Sequence, residues 1–170
     1  MPASPNAATS LFDVEIVEDD GDWSQIADLD QLIETAARAA VAAVEDAPSQ
    51  GFVSVALSSD AVVSDLNGRF RGKPKPTNVL SFPAGDGAPD GQIGDIILGL
   101  ETVKREAAEQ SIPLEHHVQH LVVHGVLHLL GYDHETAADA ERMEAIEINI
   151  LSKLGIANPY TGELETGTSE

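Results

Sequence analysis

Three histidines carry the chemistry that can be read most directly from this chain. They stand in the run His124-Gly-Val-Leu-His128-Leu-Leu-Gly131-Tyr-Asp-His134. On an α-helix, residues four apart share a face, so the rings of His124 and His128 can converge on one point. Gly131 can then take the left-handed conformation that ends a helix, and the chain can return His134 as a third nitrogen donor. Three nitrogen donors with an open fourth position are the arrangement of a catalytic rather than a structural zinc ion. The same donor set also suits nickel, copper or iron(II).

The spacing is that of the long zincin signature, but Gly125 occupies the position where a metalloprotease carries its general-base glutamate. Metal chemistry on something other than a peptide is therefore expected, with metalloprotease the weakest of the hydrolase readings. Histidine also recurs upstream, at His116, His117 and His120. Helical rotation of about 40° per four-residue step prevents the whole row from facing one ion, and these three are read as non-ligands. Asp133, directly before the third donor, and Asp95, in Gly94-Asp95, are candidates to accept a hydrogen bond from the far side of a ligand ring. The competing expectations are an N-cap for the following helix at Asp133 and an exposed strand position at Asp95.

The elements that must position these groups follow from periodicity. Leu11 to Glu18 alternates as a half-buried strand, and Leu29 to Val44 is an Ala-rich helix. Phe52 to Leu57 is a second strand, and Ser58-Ser59-Asp60 offers caps for a short helix through about Asn67. Asn78 to Phe82 and Gln92 to Leu98 are two more strands, separated by a turn rich in Gly, Asp and Pro. Helices follow over Glu101 to Gln110, Leu114 to Leu130 and Ala137 to Leu154. Strands interleaved with helices and then a helical half predict an α+β (mixed α/β) single domain. About four strands should form a small, mostly parallel mixed sheet, with the metal site at a helix-turn segment.

At 170 residues one domain is the simplest organisation. Residues 1–10 read as a disordered lead without signal-peptide character, 11–160 as the domain, and 161–170, with Glu163, Glu165 and Glu170, as an acidic flexible tail. No apolar run approaches the length needed to cross a bilayer, so no membrane association is expected. The chain has no cysteine, which removes disulfides and thiolate metal sites and fits a cytoplasmic location. Its formal net charge is -20, yet four of its nine basic residues, Arg69, Arg71, Lys73 and Lys75, fall in one short segment. Beside the histidines they would form a basic groove on an acidic body, and these four are the RNA-binding candidates. A solvated loop would have the same composition.

Two longer motifs carry a family resemblance. The segment from Leu66 to Pro83, with Arg69-Phe70-Arg71-Gly72-Lys73-Pro74-Lys75-Pro76-Thr77-Asn78 at its centre, is followed by Gly94-Asp95-Ile96 and then by His124 to His134. In order and spacing, from about Leu11 to Tyr160, the chain resembles the bacterial YbeY family. The resemblance implies a zinc-dependent, single-strand-specific endoribonuclease of 16S rRNA 3′-end maturation and ribosome quality control. It implies one Zn²⁺ per chain on His124, His128 and His134, and Arg71 as the functional arginine. Its partners would be the 16S rRNA precursor and the small ribosomal subunit with its assembly factors, with no DNA expected. Phe70 stands where family members often have tyrosine, and Pro74 where many have aspartate. From another class, a ribosome-assembly factor with weak or incidental nuclease activity would also use the Arg69 to Lys75 segment.

Overall fold

The computed structural model describes residues 12–48, 50–85 and 91–161. The expected N-terminal lead, most of the turn before Gly91, and the tail after Thr161 lie outside them. Among the described residues, four strands and five helices follow one another along the chain: β1 (Phe12–Glu18), α1 (Leu29–Ala43), β2 (Gly51–Ser58), α2 (Asp60–Arg71), β3 (Val79–Pro83), β4 (Gln92–Gly99), α3 (Leu100–Gln110), α4 (Leu114–Leu129) and α5 (Ala137–Lys153). The sheet order is β1-β2-β4-β3. β1, β2 and β4 run parallel, and β3 closes one edge antiparallel to β4. The expected α+β fold with a mostly parallel mixed sheet is the fold observed.

Alternation along the strands selects one buried face. Val53, Val55, Leu57, Ile96 and Leu98 are fully buried on it, and the register places Val14 beside Val53 and Ile16 beside Val55. Helix α4 packs on β3 and β4 and against α1, α3 and α5. Helix α1, which packs on it, buries small residues, Ala36, Ala37 and Ala40, each with no exposed surface. With neighbours on several sides, α4 buries apolar residues around much of its circumference, from Val118 to Leu127.

Gly125 sits on the sheet-facing side of α4. A Cβ there would lie 3.0 Å from Ile96 Cδ1 and 3.1 Å from both Ile96 Cγ1 and Ser81 Oγ. The residue that breaks the protease signature thus also lies at a close approach between helix and sheet. A side chain at this position would crowd Ile96 and Ser81.

Helix α2 extends to Arg71, past the expected end near Asn67. Asn67-Gly68 reads as a helix break, but tertiary contacts reverse that preference. A Cβ on Gly68 would come within 3.1 Å of Pro74 Cβ, so glycine admits the returning loop. Buried Asn67 donates from Nδ2 to Lys75 O at 3.0 Å. The helix stops where Gly72 adopts φ 70°. Arg69 and Arg71 therefore stand on the last helical turn, where cations interact favourably with the helix dipole.

His117 ties α4 to α3. Its Nε2 lies 2.9 Å from Glu106 Oε1, which also accepts from Asn78 Nδ2 at 2.8 Å. Burial holds the His117 pKa below the ordinary imidazole value, although its bond to Glu106 pulls the other way. The unfolded chain then binds a proton more readily, so this contribution to stability is complete above the unfolded value of 6.5 and is lost as pH falls below it. The denaturation midpoint should decline on acidification through this range, and the slope should be shallower in His117→Gln; equal slopes would assign the effect elsewhere. A second expectation concerns packing. Alanine is the better helix former by about 1 kcal/mol, yet Gly125→Ala should destabilise by about 1–3 kcal/mol through overpacking, measured by equilibrium unfolding.

Candidate metal centre

The turn that follows α4 creates the three-histidine cluster. The Gly131 N–H donates to His128 O and the Tyr132 N–H to Leu127 O, both at 3.0 Å, while Gly131 takes φ 107°. These are the paired bonds of a Schellman motif, which satisfies the last carbonyls of the helix and turns the chain back. His134 then lies over the His124 ring with centroids 4.9 Å apart and planes at 16°. The His128 ring is 4.6 Å from that of His124 and 5.1 Å from that of His134.

Each of the three offers a nitrogen, and these atoms all lie within 4.8 Å of one another. The Nε2 atoms of His124 and His128 face each other at 3.1 Å. Two imidazole lone pairs at that distance repel unless a cation or a proton lies between them. Ligand nitrogens bonded at about 2.0–2.1 Å in a tetrahedral site are separated by about 3.3 Å. The donor set therefore fits a divalent metal ion. Burial, reinforced by the neighbouring His124 and His134, also holds the His128 pKa below the usual imidazole value, with a backbone hydrogen bond at Tyr132 opposing. A neutral ring keeps its lone pair for a metal.

Behind the three histidines lies a carboxylate that the sequence motifs do not mark. Glu147 of α5 has no exposed surface. Its Oε2 accepts from His124 Nδ1 at 2.5 Å, and its Oε1 meets His120 Nε2 at 3.2 Å and accepts from the Tyr160 hydroxyl. Burial by itself would raise the Glu147 pKa, but the hydrogen bonds and positive potential of His120 and His124 outweigh it and hold the carboxyl below the ordinary range. Burial and the anion beside it push the Tyr160 phenol upward, so Tyr160 remains a donor. With Nδ1 committed to Glu147, His124 presents Nε2 to the cluster. A signal was present in the sequence: Glu147 interrupts the apolar stripe of Met143, Ile150 and Leu151 on α5.

Neither candidate aspartate occupies that role. Asp95 is exposed and accepts from Gln92 Nε2 at 3.1 Å. Its partner in register on β3 is Phe82, whereas Ser81, the next β3 residue, pairs with Ile96 on the side that meets α4. Asp133 accepts from the Glu135 N–H within its own turn, and the N-cap of α5 is Thr136. Strand alternation separates Asp95 from the histidines, and local turn geometry captures Asp133. His117 and His120 turn to Glu106 and Glu147, outside the three-histidine group.

Arg71 reaches the same place from the opposite side. It donates from Nη2 to Ser81 O on edge strand β3 at 3.1 Å, and its Cζ lies 5.6 Å from the Phe82 ring centroid. Arg71, Val79, Ser81, Pro83, His124 and His128 line one cleft of about 260 Å³. Arg71 makes no ion pair among the described residues, whereas Arg69 pairs with Asp65 at 3.1 Å. Lys73 and Lys75 are exposed on the following loop and do not line the cleft.

A family model described as endoribonuclease YbeY matches residues 16–155. The chain belongs to the YbeY family. It is 51% identical over 158 residues to the endoribonuclease YbeY of Chelativorans sp., covering 91% of this chain and 96% of that one. It is 46% identical over 175 residues to the protein of the same name from Dinoroseobacter shibae, covering 94% of each. The fold is similar to the solution structure of TM1509 from Thermotoga maritima, with TM-score 0.54 and 25% identity over 92% of this chain and 99% of that chain. Within this YbeY chain, Pro74 packs on Gly68, and Phe70 lies edge-on to Phe82 with centroids 5.5 Å apart.

Glu147 sets the expected outcome of one substitution. Glu147→Gln should retain the fold and lower zinc affinity by about 10- to 100-fold, read by chelator competition. Unchanged affinity would show that the Glu147–His124 bond does not tune the site.

Proposed function

We propose that the protein is a zinc-dependent endoribonuclease that cleaves single-stranded RNA, with 16S rRNA 3′-end maturation and ribosome quality control as its physiological setting. The observation that carries this reading is the cleft itself, in which the Arg71 guanidinium and two histidines of a metal-fitting cluster, His124 and His128, face one volume. Membership of a family whose relatives are named endoribonucleases supports RNA as the substrate. The small ribosomal subunit and its assembly factors are the corresponding partners, and the cytoplasm the corresponding location. No helix among the described residues is long and apolar enough to cross a membrane.

A divalent ion on His124, His128 and His134 would supply Lewis acidity and a lowered pKa for a coordinated water. The chain's own groups do the rest. Arg71 offers a planar fork of donors to a phosphate and to the charge that grows on its oxygens as the bond breaks. Ser81 O, by accepting from Arg71, fixes the guanidinium at the cleft wall before substrate arrives. Glu147 holds the orientation of His124, and Tyr160 completes the hydrogen bonding of Glu147. No carboxylate lines the cleft among the described residues, and the position a metalloprotease would use, Gly125, is packed against Ile96 and Ser81. Peptide hydrolysis by the zincin route is therefore disfavoured.

Cleavage of a labelled single-stranded RNA by the zinc-loaded protein should disappear in His128→Ala and in a chelator-treated sample of the same preparation. Arg71→Ala should lower kcat/KM by about 10²- to 10³-fold, the effect of removing a charge-stabilising donor. Arg71→Lys should recover only part of this, because an ammonium lacks the two-pronged geometry. Equal cleavage by wild type and His128→Ala would locate the activity outside this cluster.

A further inference from the structure

Phe70 is 67% exposed, the most exposed large apolar side chain among the described residues. It sits on the final turn of α2 beside Arg71, and both converge on one ring. Phe70 meets Phe82 at a centroid distance of 5.5 Å and an interplanar angle of 63°, while the Arg71 Cζ lies 5.6 Å from the same Phe82 centroid. Phe82 in turn follows Ser81, whose carbonyl holds the Arg71 fork and whose residue lines the cleft. An apolar face and the proposed phosphate-binding group are thus fixed relative to each other by one partly buried aromatic.

We propose that Phe70, supported by Phe82, is a stacking platform for one unpaired nucleobase of the RNA strand whose backbone is held at Arg71. This rests on the nuclease reading above and assigns a second subsite to it. Charge complementarity selects the occupant. The platform belongs to the densest basic segment of a chain of net charge -20, which also carries Arg69, Lys73 and Lys75. A ligand that presents a flat apolar face together with closely spaced negative charge fits this surface, and single-stranded nucleic acid has both. Arg71, which touches Phe82 and also lines the cleft, links that strand to the histidines.

The support from Phe82 matters energetically. A ring already held on one side loses less freedom when a base covers the other, so more of the stacking energy appears as affinity. Bases in a duplex are stacked on each other and cannot reach such a platform, whereas splayed single-stranded bases can. Stacking on a phenyl ring also reads no hydrogen-bonding edge. Single-strand preference with little sequence preference follows.

Steady-state cleavage of single-stranded RNA by the zinc-loaded protein tests this, with Phe70→Ala and Phe70→Trp beside Arg71→Ala. Loss of one stacked base should raise KM by about 5- to 100-fold in Phe70→Ala with little change in kcat, and Phe70→Trp should retain the wild-type KM. In RNAs carrying one abasic position each, a single position should reproduce that rise with wild type and add nothing further in Phe70→Ala. An unchanged KM in Phe70→Ala while Arg71→Ala is impaired would overturn the platform and leave the nuclease reading standing. Absence of zinc-dependent cleavage by wild type would overturn both.

Discussion

The close approach of α4 to the sheet at Gly125 is the contact on which the site depends. A Cβ there would meet Ile96 and Ser81 at 3.0–3.1 Å, so glycine admits this approach without displacing either side chain. The next turn carries Leu129 onto Gly94, where a Cβ would come within 2.5 Å of Leu129 Cδ2. Two glycines, one on the helix and one on the strand, thereby seat the C-terminal half of α4 against β3 and β4. His124 and His128 are left facing the edge strand, where Arg71 can meet them across a small cleft. The same glycine removes the carboxylate that a protease would need, so one packing constraint both builds this centre and limits its chemistry.

Behind the histidines, the electrostatics depend on burying a charge with sufficient partners. A carboxylate without solvent access is costly unless its lone pairs are used. Glu147, on α5, receives hydrogen bonds from His124 and His120 on α4 and from Tyr160 in the segment beyond α5. The network therefore joins the last part of the described chain to the metal-fitting cluster and orients one ring within it. The histidine row is divided by this arrangement: His120 completes the hydrogen bonding of the carboxylate, His117 links α3 to α4, and of the row only His124 and His128 line the cleft.

Much of the architecture was legible because it depends on local rules. Strand alternation, the Ala-rich helix and the cap at Ser59 are properties of short windows, and the elements lie close to where periodicity predicts them. The end of α2 was not legible, because Asn67-Gly68 favours a break and only the contact with Pro74 and the bond to Lys75 overrule it. Asp95 and Asp133 were reasonable partners by proximity in sequence, but the carboxylate that meets His124 stands 23 positions away on another helix.

By itself, then, the sequence determined the three-histidine cluster. Its geometry is a matter of helical repeat, a glycine stop and a short return, all contained within eleven consecutive residues. It also determined the family, through two motifs of distinctive order. The tertiary structure alone decided which carboxylate supports the cluster, that Arg71 faces it, and that Phe70 stands exposed beside it on Phe82. Those relations join α2, β3, α4 and α5, elements far apart along the chain. Their juxtaposition follows from the packing of helices on a sheet, which no local periodicity encodes.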